Sequence, residues 1–148
     1  MTFPSRSRRA FLCAATLALS APLAATAQSP GAPLKIGIVG SGRVGSTLGA
    51  IWLKAGHEVM FSSLDLEQDK ALAAKLGGKA RAGTTREAAA FGDVVMVAVP
   101  YAAMPGIGRD LAGLLRGKIV IDTSNPIVAR DGDTANWARG KGAGLATA

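Results

Sequence analysis

The chain has 148 residues, 49% of them hydrophobic and 18% charged, which suits one domain with a single core and excludes both a disordered chain and a helical membrane bundle. Its net charge of +7 invites a nucleic-acid reading, but Arg6, Arg8 and Arg9 crowd the first ten positions and the other Lys and Arg are scattered among acids, with no basic stripe carrying aromatics, so nucleic-acid binding is set aside. Cys13 is the only cysteine, which excludes a disulfide framework and a cysteine-ligated metal cluster, and no His/Asp/Glu group has metal-ligand spacing.

The first segment reads as an address. Ser7-Arg8-Arg9-Ala10-Phe11-Leu12 resembles the bacterial twin-arginine export signal, and an apolar run over Phe11 to Ala21 follows it. Pro22 and the small-residue site Ala25-Thr26-Ala27 come next, so cleavage is expected after Ala27, with the product exported to the periplasm. The alternative, a transmembrane anchor, needs about 20 uninterrupted apolar residues. This run is shorter and contains Pro22. Residues 28–33 are a polar linker, and 34–148 are expected to form the folded domain.

Leu34 to Val39 is a short β-rich apolar run ending in glycine, the pattern of a buried parallel strand. Val44 to Ala55 carries Val44, Leu48, Ile51 and Trp52 at helical spacing and closes on Gly56. Glu58 to Ser62 is predicted as the second strand and Leu66 to Leu76 as the second helix; Ala80 to Ala82 is a short third strand, and Thr85 to Phe91 a brief helix. Asp93 to Val99, the most apolar run after the leader, is the best central strand, and Pro100 ends it. Tyr101 to Leu115 reads as a helix interrupted near Pro105-Gly106, and Lys118 to Asp122 as a fifth strand. Beyond Pro126 only a helical turn at Asp133 to Ala138 is predicted. Strands alternating with helix-length segments imply a Rossmann-type doubly wound parallel sheet, expected here to be truncated after its fifth strand.

Gly40-Ser41-Gly42-Arg43-Val44-Gly45 links the first strand to the first helix, the context in which a G-x-G-x-x-G pattern signals a dinucleotide site. Gly40 permits the tight turn, Gly42 leaves no Cβ before the pyrophosphate, and Gly45 lets helix and strand pack closely. The second strand ends on Ser62-Ser63-Leu64 rather than on the acid that holds the ribose in NAD sites. Two hydroxyls there, with Arg43 nearby, favour the 2′-phosphate of NADP(H). Asp65 is the alternative, reaching the ribose, although its position suits capping the next helix.

With these residues, Gly56-His57-Glu58-Val59, Ala98-Val99-Pro100-Tyr101 and Val120-Ile121-Asp122-Thr123-Ser124-Asn125-Pro126 taken in order, the chain from Leu34 onward resembles the NADP oxidoreductase, coenzyme F420-dependent family. The resemblance implies hydride transfer between NADP(H) and an acceptor such as a deazaflavin or flavin. It implies that Ser41, Gly42, Arg43 and Val44 hold the pyrophosphate, Ser63 the 2′-phosphate, Val99 and Pro100 the ribose side, and that Asn125 lies near the nicotinamide. Tyr101 is added as a residue that stacks on nicotinamide or acceptor, with core packing as its alternative. Two departures stand out: Leu64 replaces the arginine common in the family, and family members are longer, with a C-terminal portion that completes the acceptor pocket. A non-catalytic nucleotide-binding module, or a relic that needs a partner, is therefore the rival reading. An oligomer is compatible with either.

No side chain is assigned as catalytic. His57, the one histidine, belongs to a turn at the far end of the sheet from the cofactor, and Asp122 suits bonding to backbone N–H groups.

Overall fold

The computed structural model describes residues 31–144, so the twin-arginine motif and its cleavage site lie outside the described residues. The elements are β1 (Lys35–Val39), α1 (Arg43–Lys54), β2 (Glu58–Ser62), α2 (Leu66–Leu76), β3 (Ala80–Ala82), α3 (Thr85–Phe91), β4 (Val94–Val97), a 3₁₀ turn (Tyr101–Ala103), α4 (Met104–Leu115), β5 (Ile119–Asp122) and α5 (Val128–Lys141). Among the described residues the sheet has five strands in the order β3-β2-β1-β4-β5. All pairings are parallel.

The sheet is covered on both faces, as its apolar strands require. On one face Ile36, Ile38, Val59, Phe61, Val94 and Met96 are buried, with Leu48, Trp52 and Leu53 of α1 and Leu72 and Leu76 of α2 packed against them. On the other, Val39, Val95 and Val97 meet Ala89 of α3, Leu111 of α4 and the flanking Met104, Ile107 and Leu115. Alternate residues of β1 and β4 therefore serve opposite cores, the arrangement of a doubly wound Rossmann-like fold.

Two segments differ from their prediction. Pro105 does not interrupt α4, because it stands in the first turn, where its missing N–H has no helical partner to lose. After Pro126 the chain forms α5, a longer element than a single turn, kinked at Gly132 (φ 55°). Its buried apolar contacts are the small Ala135 and Ala138, which leave almost no hydrophobic periodicity to read.

Register sets where the site lies. Val39 pairs with Ser62 and with Val97, and Val97 with Asp122, so β1, β2, β4 and β5 end side by side. The segments that leave those four ends converge at one edge of the sheet. The strand order reverses between β1 and β4, which opens the crevice where doubly wound folds bind ligands.

Candidate functional site

The glycine turn is held from both sides. Gly40 N–H and Ser41 N–H both donate to the Ser62 carbonyl, at 2.8 and 2.9 Å, and Ala98 N–H donates to the Val39 carbonyl at 2.8 Å. Gly40 has φ 102°, and a Cβ there would strike the Ala98 carbonyl, so no other residue fits. A Cβ on Gly45 would collide with the Gly40 carbonyl and Ile38, which is the close helix–strand contact expected of it. At Gly42 a Cβ would meet nothing within 4 Å and would point into the open space before the helix.

The start of α1 is built for an anion. Gly42 is its N-cap and no side chain caps it; its first turn contains no acid, and Arg43 is exposed there. The first amide bonded back within the helix is Ser46 N–H, to the Gly42 carbonyl at 2.9 Å. Uncapped N–H groups and the positive end of the helix dipole thus face the crevice.

Arg43 and Val44 form one wall of a cleft of about 340 Å³, with Val99, Pro100, Asn125 and Arg130 around the rest. It contains five of the residues expected at the cofactor. The hydroxyl of Ser124, which also lines it, is buried without a hydrogen-bond partner. A buried orphan hydroxyl is uncommon, and a ligand in the cleft would supply what it lacks. A second hollow of about 310 Å³ is formed by Ser41, Gly42, Arg43, Ser46, Gln68 and Leu72, on the other side of Arg43. Glycine turn, uncapped helix, orphan hydroxyl and guanidinium together fit a dinucleotide.

Three expected contacts need correction or refinement. Ser62 is fully buried, and its hydroxyl donates to the Ile38 carbonyl at 2.7 Å, so it does not face a 2′-phosphate. Inward alternation at the last strand residue, paired with Val39, turns it into the sheet. Tyr101 is 2% exposed and sits under the 3₁₀ turn, its hydroxyl 3.5 Å from the Ala143 carbonyl; it packs and presents no face for stacking. Burial, with a smaller push from the Asp122 charge, raises its phenol above its ordinary range. Ser63 remains at the strand end, half-buried, with its hydroxyl 2.9 Å from the Asp69 carboxylate.

Other residues take the structural roles anticipated for them. Asp65 caps α2 by accepting from Gln68 N–H at 3.0 Å. Asp122 accepts from Ser124 N–H at 2.7 Å. His57 accepts from Leu34 N–H at 3.1 Å at the opposite end of β1.

Sequence reasoning missed Arg130, Asp131 and Asp69. Arg130 lines the cleft, donates to the Asn125 carbonyl at 2.7 Å and pairs with Asp131 at 2.8 Å. The Asp131 side chain is buried and also accepts from Ile127 N–H at 2.9 Å and Ala102 N–H at 3.3 Å. The Arg130 guanidinium above all, then those two amides, lower its pKa from 3.8 to about 2. Nothing in the local pattern marks this pair, because α5 carries little periodicity. Among the described residues no cluster of His, Cys, Asp and Glu is arranged to hold a metal, and no helix is long and apolar enough to cross a membrane.

Residues 35–126 match the model of the family described as NADP oxidoreductase, coenzyme F420-dependent. No curated protein matches the sequence. Among solved structures, a protein of Arthrobacter sp. FB24 described as an F420-dependent NADP-reductase superposes with a TM-score of 0.54 and 26% identity, over 63% of this chain and 46% of that one. The 3-hydroxyisobutyrate dehydrogenase of Mycobacterium tuberculosis with L-serine is similar at 0.55 and 22%, over 74% and 38%. The pyrroline carboxylate reductase of Plasmodium falciparum with NADP bound is similar at 0.50 and 15%, over 69% and 38%, and these last two speak for the fold alone. The chain spans under half the length of each of these structures.

Proposed function

Since the chain belongs to the NADP oxidoreductase, coenzyme F420-dependent family, we propose that it binds NADP(H) at the converging ends of β1, β2, β4 and β5 and, within an oxidoreductase, serves hydride transfer to or from a deazaflavin or flavin. The observation that carries this reading is the uncapped start of α1, opening beside Arg43 into the cleft that Val99, Pro100 and Asn125 share. The turn from Ser41 to Val44 holds the pyrophosphate through the N–H groups of Gly42, Arg43 and Val44 and the Arg43 charge, while Ser41, whose own N–H is bound to the Ser62 carbonyl, shapes the turn. Val99 and Pro100 bound the ribose, Asn125 lies toward the nicotinamide, and Ser63 stands at the adenosine end. When bound, the cofactor supplies the hydride, and the protein supplies placement. No side chain is assigned as a proton donor; the acceptor, on taking hydride, draws its proton from solvent.

Because the chain spans 46% of the F420-dependent relative's length, transfer belongs to the proposal as fully as binding does, and binding without transfer is the rival. Titrating the chain with NADPH, followed by fluorescence, should give a saturable complex, and adding coenzyme F420 or a flavin should then oxidise the bound NADPH. Absence of saturable binding would overturn the reading. Binding without oxidation by any acceptor would leave the nucleotide-binding module. We further propose that the chain reaches the periplasm by the twin-arginine route, read by Arg8 and Arg9.

A further inference from the structure

Asp69 is fully buried near the start of α2, yet it belongs neither to the cleft nor to a salt bridge. Its carboxylate accepts hydrogen bonds from two hydroxyls that come from different places. Ser41, inside the glycine turn, donates to Oδ1, and Ser63, at the end of β2, donates to Oδ2 at 2.9 Å. One carboxylate therefore ties the phosphate turn to the strand end at which the adenosine ribose of a dinucleotide would lie.

The donor count at that corner is decisive. A serine hydroxyl has a single proton. Ser62 directs its proton to the Ile38 carbonyl and Ser41 directs its own to Asp69, while Ser63 has two acceptors in reach, Asp69 Oδ2 at 2.9 Å and the Asp65 carbonyl at 3.2 Å, of which the carboxylate is the nearer. Ser63 Oγ also lies 3.1 Å from Asp65 N–H, from which it accepts. All three serine protons near the strand end are thus used within the protein. The adjoining Leu64 is fully exposed and brings no charge. A 2′-phosphate needs donors and repels a buried carboxylate behind them, whereas a ribose hydroxyl is itself a donor and is served by the oxygen lone pairs on offer.

We propose that Asp69 is a specificity-determining residue of the nucleotide site: by engaging the Ser41 and Ser63 hydroxyls it withholds their protons from a 2′-phosphate, so that NADPH and NADH bind with similar strength. Asp69 acts through the two serines and is a positioning residue, not a ligand contact. The inference rests on the reading that a nicotinamide dinucleotide occupies this site, and it adds which form of the adenosine ribose the site distinguishes.

The test is a titration of the full chain with NADPH and with NADH, followed by fluorescence, for wild type, Asp69→Asn and Asp69→Ala. Wild type should show affinities within about tenfold of each other. Asn removes the charge and donates with its own amide to one of the two serines; Ala removes both carboxylate acceptors, freeing the Ser41 proton and leaving that of Ser63 only the longer bond to the Asp65 carbonyl. Either variant should therefore tighten NADPH several-fold and leave NADH nearly unchanged. A merely structural carboxylate would move both dinucleotides together, and that result would overturn the proposal. So would a wild-type preference for NADPH of a hundredfold or more, a measurement that needs no variant to fold. If wild type binds neither dinucleotide, the occupancy reading itself falls and takes this inference with it; binding of both with strong NADPH selectivity refutes the inference alone.

Discussion

Leu64 leaves β2 immediately after Ser63, and its side chain is fully exposed at the rim of the corner where Asp69 gathers two hydroxyls. An apolar side chain in water at that point neither packs nor donates. Arginine there would reach a 2′-phosphate with two parallel hydrogen bonds while leaving the serines bonded to Asp69 as they are. A hydrogen bond to a charged group contributes roughly 1.5 to 3 kcal/mol, and exposure and salt bring that toward the low end. Since about 1.4 kcal/mol is tenfold in affinity, Leu64→Arg should tighten NADPH about tenfold, leave NADH nearly unchanged, and lose its advantage as salt is added. Fluorescence titration of the two dinucleotides at two ionic strengths measures this. Equal effects on both would show that the corner does not meet the 2′-phosphate.

The segments after β4 and β5 are joined by one carboxylate. Asp131 accepts from Ala102 in the 3₁₀ turn, from Ile127 ahead of α5, and from the guanidinium of Arg130, which in turn holds the Asn125 carbonyl. The wall of the cleft on that side therefore depends on the ionised form of Asp131. Its folded pKa, about 2, lies below the ordinary 3.8, so the folded state favours the carboxylate. The stabilisation is complete above about pH 4 and is lost as pH falls through 2. Asp131→Asn keeps the shape but not the charge. It should lower the melting temperature by a few degrees at neutral pH, and the gap to wild type should close between about pH 4 and pH 2. Thermal melts across that range measure it, and a gap independent of pH would mean that ionisation of Asp131 contributes nothing.

Considered as a whole, the domain shows the sheet edge at β5 only partly covered: Ile119, Val120 and Ile121 are 66%, 44% and 37% exposed, where the central strand β4 is buried throughout. The charge is as uneven as the burial, with Arg6, Arg8 and Arg9 ahead of the apolar run over Phe11 to Ala21. If those arginines are an export address, the pair itself must be read, not its charge. Arg8→Lys with Arg9→Lys conserves charge and should abolish twin-arginine processing, so that the product beginning at Gln28 disappears from the periplasm. Immunoblots of fractionated cells before and after the change would decide it; undiminished periplasmic product would mean that the motif is accidental or that another route serves.

Short apolar runs, glycine stops and the G-x-G-x-x-G turn are local features, and from them the sequence by itself determined the strand and helix order through β5, the parallel doubly wound sheet and the Gly40–Gly45 turn. These were legible because a backbone pattern of period 2 or 3.6 and a positive-φ glycine leave their mark in neighbouring residues. The direction of each hydroxyl left no such mark. Only the tertiary structure decided that Ser62 turns into the sheet, that Tyr101 packs and cannot stack, and that Asp69 meets Ser41 across 28 positions of sequence. The same holds for Arg130 and Asp131, whose partners Asn125 and Ala102 come from separate segments after β5 and β4. A side chain's hydrogen-bond partner is set by which elements the packed cores bring into contact, and that contact exists only once the chain has folded.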